Sequence, residues 1–206
     1  MFSNSTIHNT ADNALNARVI AGICLEMVDG GWLEGVVVSG ICMQCTRTPI
    51  FLRLGARTPP PAGNRTYMRG VMISDVYATG AVLTNSITGI PGLPVEDVTL
   101  SNVQLESQEP GRLGRLLAYG IYVRHALGVR MRDVVFKASP TEQRPAVVCD
   151  DATSVEVAGL RSRHTARSHP WFRCGSRPRS GYARGKSHTA HQAWLMRPES
   201  DPPTSW

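Results

Sequence analysis

Apolar and polar residues alternate with a period of two in five segments of the chain, and each segment repeats one short frame. The frame is V-x-Φ-x-[GDN]-Φ, where Φ is apolar, and it begins at Val36, Val71, Val98, Val129 and Val155. Alternation with this period places the two apolar side chains of each frame on one face of a β-strand. The frames recur every 26 to 35 residues, an interval typical of stacked repeat units. The pattern therefore predicts a solenoid of β-strands.

A residue that tolerates a left-handed backbone follows the apolar positions of every frame. These residues are Gly40, Asp75, Asn102, Asp133 and Gly159, and the residue after each of them is again apolar. Gly, Asn and Asp adopt positive φ angles more readily than other residues, so they turn a strand sharply. A strand, a tight corner and an inward side chain form one edge of a β-solenoid coil.

A second series of apolar runs lies between the frames and before the first of them. The runs are rich in β-branched residues, are bounded by Gly or Pro, and begin at Ala21, Pro49, Ser86, Tyr119 and Pro145. Such runs are typical of buried strands. One strand from each series per repeat predicts coils of about 22–30 residues. We expect an all-β fold, a right-handed parallel β-helix, with an antiparallel β-sandwich as the alternative.

The net charge of +6 belongs almost entirely to the C-terminal end of the chain. Residues 1–163 contain 15 basic and 14 acidic residues, whereas residues 164–206 contain 7 and 2. The C-terminal end is rich in Pro, Ser, Arg, Gly and His and has no strand or helix period, which is typical of disorder. We predict a partial β-helix over residues 1–161 and a disordered basic tail over 162–206. Three interpretations of this tail stay open: translation in a shifted reading frame, an ordinary linker, or a basic arm that binds nucleic acid. The tail contains no known motif for nucleic-acid binding.

The spacing of cysteine and histidine indicates neither a metal site nor a redox motif. Cys42 and Cys45 form one C-x-x-C pair without a second pair, and His188 and His191 lie in the predicted tail. A zinc site would need a second pair at matching spacing. The N-terminus lacks the charged and apolar regions of a signal peptide, and no apolar run reaches transmembrane length. We expect no metal, no cofactor and no membrane contact, and the compartment stays open.

Four stretches resemble segments of a known protein family and occur in the same order along the chain. They are GICLEMVDGGWLEGVVVSGICMQCTRTPIFLRLGAR (22–57), SITGIPGLPVEDVTLSNV (86–103), LAYGIYVRHALGVRMRDVVF (117–136) and RPAVVCDD (144–151). Together they resemble the C-terminal part of glycoside hydrolase family 28, the polygalacturonase and rhamnogalacturonase family, over roughly residues 1–161. The resemblance implies a right-handed parallel β-helix and the inverting hydrolysis of pectic polysaccharides without a cofactor. It also implies export, although the chain shows no signal peptide.

The chain departs from the family at the positions that carry its chemistry. The family places its carboxylates in an N-x-D strand and an Asp-Asp pair, followed by Gly-His-Gly and an Arg-Ile-Lys strand. This sequence has no N-x-D and no Gly-His-Gly, and Cys24, Leu25 and Glu26 stand where Arg-Ile-Lys would fall. Asp150-Asp151 is no substitute, because adjacent strand residues point to opposite faces. We interpret that pair as a strand-end turn and expect a fragment that is inactive alone.

Polar residues at the ends of predicted strands are the candidates for a sugar-binding groove. They are Glu26, Asp29, Arg53, Arg124 and His125. Arginine pairs well with carboxylates, which suits a galacturonate unit. A turn is the alternative role for the two acids, and an inter-coil salt bridge or a solvated edge is the alternative for the basic residues. Trp32 and Tyr122 could stack on a sugar ring or pack against the solenoid.

Two classes of function therefore stay open. The first is a fragment of a pectin-type glycoside hydrolase, whose ligand would be a pectic polysaccharide or oligosaccharide. The second is a non-catalytic solenoid that binds carbohydrate or has a structural role. Because each coil of a solenoid is covered only by its neighbours, we also expect self-association through an uncapped N-terminal coil around Ile20, Ile23 and Leu25.

Overall fold

A computed structural model describes residues 1–9, 21–57, 65–108, 118–139, 141–163 and 172–175. The described residues form twelve β-strands and no α-helix: β1 (Phe2–His8), β2 (Ala21–Met27), β3 (Trp32–Gln44), β4 (Thr48–Leu54), β5 (Tyr67–Ala81), β6 (Asn85–Thr88), β7 (Val95–Ser107), β8 (Ile121–Lys137), β9 (Val147–Thr153), β10 (Glu156–Ala158), β11 (Arg161–Arg163) and β12 (Phe172–Gly175). Nothing in these ranges has the length and apolar character of a membrane-spanning helix.

The strands pair in parallel to form two ladders that meet in β8. The first ladder runs β1-β3-β5-β7-β8, and β10 and β11 extend it along the second half of β8. The second ladder runs β2-β4-β6-β8-β9 and ends at β12. The chain alternates between the two ladders, so each turn adds one rung to both. This is an all-β parallel solenoid, as predicted, and the parallel pairing excludes the antiparallel sandwich.

The valines that begin the five frames form one column inside the first ladder. Val36, Val71, Val98 and Val129 are register partners of one another from coil to coil, and Val155 precedes Glu156, the partner of Arg130. All are buried except Val36, which packs against the core but is partly exposed. It is uncovered on one side because β1 reaches only to the level of Val38. The predicted inward column is confirmed.

The residues predicted to turn the strands do have a left-handed backbone. Their φ angles are all positive: Gly40 (68°), Asp75 (54°), Asn102 (52°), Asp133 (52°) and Gly159 (67°). Side chains at this corner also form hydrogen bonds between neighbouring coils. The Nδ2 of Asn102 donates to the Oδ1 of Asp75 at 2.8 Å. The corner is therefore both a backbone requirement and a polar ladder on the surface.

A second left-handed corner lies five residues before the first, at a position that the frame did not include. It contains Gly35, Gly70, Asp97, Gly128 and Ser154, again with positive φ. The two corners delimit a short facet of the first ladder. The sequence-based frame captured only the later of these two bends, because it begins at the valine that directly follows the earlier one.

The second series of apolar runs forms the second ladder, as predicted. Its inward side chains are register partners and almost all are buried: Ile23, Ile50, Asn85, Ile121 and Val147 in one column, and Leu25, Leu52, Ile87, Val123 and Cys149 in the next. Asn85 is the polar exception. Its Oδ1 accepts from the Ile50 amide and its Nδ2 donates to the Gly120 carbonyl, both at 2.8 Å, so the buried amide is satisfied.

The two ends of the stack differ from the expectations. Ile23, expected in an open apolar surface, is buried, and Leu25 is partly buried against the core; Ile20 lies outside the described residues. Of the predicted tail, residues 162 and 163 belong to β11, and Phe172–Gly175 form β12 although no strand was predicted there. The unpaired backbone groups along the edge of β9 favour such pairing whatever the side-chain pattern. The rest of the tail lies outside the described residues.

Replacement of Asn102 tests the left-handed corner. We expect Asn102→Val to lower the free energy of unfolding by about 1–2 kcal/mol relative to Asn102→Gly, because only glycine accepts this backbone without strain. Both variants lose the side-chain hydrogen bond to Asp75, so their difference isolates the backbone term. Equilibrium urea denaturation measures it. Gln104→Val, an outward position of the same strand, is the control and should have little effect; equal stability of the two Asn102 variants would contradict the expectation.

Candidate functional site

The outer face of the second ladder carries two columns of side chains. One, the charged column, contains Glu26, Arg53, Thr88, Arg124 and Asp150, each the register partner of the next. The other, the aromatic column, contains Cys24, Phe51, Ser86, Tyr122 and Val148. Both columns point outward because they alternate with the buried apolar columns of the same strands.

The charged column brings together three of the five residues selected from the sequence. Glu26, Arg53 and Arg124 are exposed and lie on successive or alternate rungs. With strands about 4.8 Å apart, Arg53 and Arg124 are separated by two rungs, or about 10 Å. Two cations at this separation on an exposed face can contact separate acidic groups of one extended ligand.

Asp29 and His125 lie outside this column and have partners of their own. The Nε of Arg57 donates to the Oδ1 of Asp29 at 2.7 Å, and its Nη2 binds the other oxygen. His125 binds Asp151 through a 2.6 Å contact between Nδ1 and Oδ2. Both His125 and Asp151 have positive φ angles, 46° and 50°. These two pairs therefore fasten the turns beside the column.

Asp150 is held at the end of the charged column by two neighbours. Its Oδ2 accepts a hydrogen bond from the hydroxyl of Tyr122 at 3.0 Å and faces the Nε of Arg124 at 3.2 Å. Burial first, and then the Asp150 carboxylate, raise the pKa of Tyr122. The strand-end interpretation fits Asp151, which has a left-handed backbone. Asp150, however, lies within β9 and on the outer face of the second ladder.

Arg53 is exposed, and it has no ion-pair or hydrogen-bond partner among the described residues. The same holds for its register partner Glu26, whereas the other charged side chains nearby are paired. Arg124 is shared with Asp150, and Arg57 with Asp29. Arg53 also stands beside Phe51 on the same strand, two residues away on the same side. It is therefore the group of this face with the most capacity left for a ligand carboxylate.

The two carboxylates of the charged column are too far apart for paired acid-base catalysis. Glu26 and Asp150 are separated by four rungs, or about 19 Å. Inverting glycosidases need their two carboxyl groups about 6.5–9.5 Å apart, and retaining ones about 5–5.5 Å apart. The column can bind polar ligands, but its own acids cannot act on one glycosidic bond.

The interior of the described chain offers no alternative centre. Glu142 is buried, but both of its oxygens bind the guanidinium of Arg144, at 2.8 and 2.6 Å. Burial opposes the charge of Glu142, yet the hydrogen bonds from Arg144 and from the Gln143 amide outweigh it and lower the pKa of the carboxyl. Within the described ranges, no three His, Cys, Asp or Glu side chains are grouped so as to hold a metal ion. Glu142 is thus part of a structural ion pair.

Sequence reasoning missed the aromatic column and the role of Asp150. Phe51 was not selected, and Tyr122 was considered for stacking on a sugar or packing against the solenoid, not as a partner of Asp150. The hydroxyl of Ser86, which lies between them in the column, is shielded from solvent and has no partner among the described residues. Aligning the second-series runs with one another, as was done for the valine frames, would have revealed both columns.

Removal of Asp150 tests the contact with Tyr122. We expect Asp150→Asn to lower the pKa of Tyr122, because a neutral amide no longer opposes the phenolate. A raised pKa in the folded state means that the contribution of Tyr122 to stability is complete below its unfolded pKa and is lost as pH rises through the folded one. Ultraviolet titration of the phenols, with Tyr122→Phe to identify the signal, measures the shift. An unchanged titration would show that the contact is absent in solution.

Comparison with known proteins adds no neighbour to this site. No protein-family model, curated protein or solved structure matches the chain. The likeness to glycoside hydrolase family 28 therefore depends on the sequence stretches quoted above and stays a prediction.

Proposed function

We propose that this chain is a right-handed parallel β-helix of the glycoside hydrolase family 28 type that binds acidic pectic oligosaccharides without hydrolysing them. The right-handed coil is supported by the general rule that parallel crossover connections are right-handed in almost all proteins. The family is supported by the quoted stretches, which map onto strands of both ladders. The binding face is the outer face of the second ladder.

The unpartnered guanidinium of Arg53 is the observation on which this proposal depends. An arginine forms bidentate hydrogen bonds with a carboxylate, and such bonds are among the stronger ones in water. A galacturonate unit offers that carboxylate, and its ring offers an apolar face to Phe51. Two rungs along the ladder, Arg124 can bind the carboxylate of a second acidic unit. Part of its guanidinium is already paired with Asp150. An extended acidic glycan lying along the rungs fits this arrangement.

Hydrolysis is not part of the proposal because the carboxylates of the face do not converge. Asp150 and Asp151 bind different partners, Arg124 and His125, and Glu26 is four rungs away. The proposed relation to the family is therefore one of descent and does not include its hydrolytic activity. The second candidate function, a solenoid that binds carbohydrate without chemistry, is favoured by the same geometry, and the two differ only in descent.

Replacement of Arg53 tests the binding face. We expect Arg53→Gln to weaken binding of hexagalacturonate by about tenfold or more, the equivalent of one charge-assisted hydrogen-bond pair. Isothermal titration calorimetry at low ionic strength measures the affinity, and added salt should reduce that of the unmodified chain.

Arg132→Gln is the matched control, since Arg132 is an exposed arginine on the first ladder. Its affinity should equal that of the unmodified chain. Equal loss in both variants would indicate unspecific attraction to a basic protein, and no loss in Arg53→Gln would exclude the proposed face.

Activity measurements test the absence of hydrolysis. We expect the purified chain to release no reducing ends from polygalacturonate or rhamnogalacturonan, because no acid and base face each other. Hydrolysis that disappears in Asp150→Asn or Glu26→Gln, while the fold persists by circular dichroism, would show that these carboxylates are catalytic after all.

A further inference from the structure

Four side chains form a cluster on the outside of the first ladder, across a turn from the charged column. Trp32 and Glu34 project from β3, and Tyr67 and Arg69 project from β5. Trp32 is the register partner of Tyr67, and Glu34 is the register partner of Arg69. The four residues, here called the Trp32 cluster, therefore occupy two positions on each of two neighbouring rungs of one facet.

The polar half of the cluster is joined by hydrogen bonds and an ion pair. The Oε2 of Glu34 accepts from the hydroxyl of Tyr67 at 3.1 Å, and its Oε1 accepts from the Nε of Arg69 at 2.9 Å. The guanidinium of Arg69 also lies 4.8 Å from the centroid of the Tyr67 ring. Hydrogen bonds from Arg69 and Tyr67 also lower the pKa of Glu34. Groups fixed in this way lose little conformational entropy when a ligand binds them.

The apolar half of the cluster is open to solvent. Trp32 is 58 % exposed, more than the exposed aromatic residues Phe2 and Tyr77. A single exposed apolar side chain is ordinary. This indole, however, stands beside a carboxylate and a guanidinium that are about half exposed and already oriented. The result is a flat apolar surface bordered by a fixed acceptor and a fixed donor.

This combination matches a sugar ring, which presents C–H groups on one face and hydroxyl groups at its edge. The indole can cover the C–H face, while Glu34 accepts hydrogen bonds from hydroxyls and Arg69 donates to them. The charges of Glu34 and Arg69 cancel, so the cluster offers no net attraction to an acidic unit, in contrast to Arg53. We propose that the Trp32 cluster is a second carbohydrate site and that its ligand is a neutral oligosaccharide.

The site is independent of the proposed function, because it uses other residues and a ligand of other charge. Its test uses the full chain with two neutral probes, cellohexaose and xylohexaose, and with hexagalacturonate for comparison. Isothermal titration calorimetry gives the affinities, and tryptophan fluorescence reports contact with the indole. Trp32→Ala removes the surface, and Trp32→Phe retains a ring but removes the fluorescence of this position.

We expect at least one neutral probe to bind and Trp32→Ala to weaken its binding by about tenfold or more, as for other aromatic anchors. The fluorescence change on binding should vanish in Trp32→Phe, which keeps part of the affinity. Tyr77→Ala is the matched control, since Tyr77 is an exposed aromatic residue beyond the other corner, and it should bind like the unmodified chain.

Hexagalacturonate separates this site from the proposed function. Its affinity should be unchanged in Trp32→Ala and reduced in Arg53→Gln. Failure of both neutral probes to bind the unmodified chain would overturn the second site, and so would equal affinities of the Trp32→Ala variant and the unmodified chain. Neither result would alter the expectation for Arg53.

Discussion

The described part of the chain depends on the parallel pairing of each coil with the next. The backbone hydrogen bonds of the two ladders fix which residue lies above which from β1 to β9, with one shift of register between Ala78 and Ala81 of β5. A slip of one residue would exchange the inner and outer faces of a strand. The apolar columns inside and the polar columns outside are therefore two results of one constraint.

The left-handed corners make this register possible. A residue with positive φ lets a strand bend sharply, which is why Gly, Asn and Asp recur at these points. The inward phase shifts by one residue at the bend, so that Val38 before Gly40 and Ile41 after it both face the interior. Two such corners in each turn of the first ladder divide its surface into facets. Side chains on one facet face the same direction and stack, whereas those on two sides of a corner do not. The charged column and the Trp32 cluster are separated by a different bend, the turn between β2 and β3, where Gly30 and Gly31 have positive φ.

Stacking at a fixed spacing also decides what the surface can do chemically. Neighbouring rungs bring side chains close enough for ion pairs, as between Arg69 and Glu34 or between Arg124 and Asp150. Residues four rungs apart, such as Glu26 and Asp150, cannot act on the same atoms. A repeated face of this kind is suited to contacts with a repeated, extended ligand, which is the common basis of both proposed carbohydrate sites.

The sequence alone determined the strands of the two repeated series, their inward columns and one series of corners, because each depends on local periodicity and on the backbone preferences of single residues. It did not indicate β1, β11 or β12. Val98 faces inward and Asn102 turns the chain for reasons contained in a few neighbouring positions. Only the tertiary structure decided which exposed polar side chains contact one another. Glu34 meets Arg69, and Asp150 meets Tyr122, across 35 and 28 residues of chain.

The connections that bring such partners together vary in length from coil to coil, so sequence spacing does not reveal the lateral neighbour of an exposed side chain. That neighbour is determined by the register in which each strand pairs with the strand of the preceding coil. For the same reason, Asp150 was interpreted with its sequence neighbour Asp151, whereas the folded chain places it with Arg124.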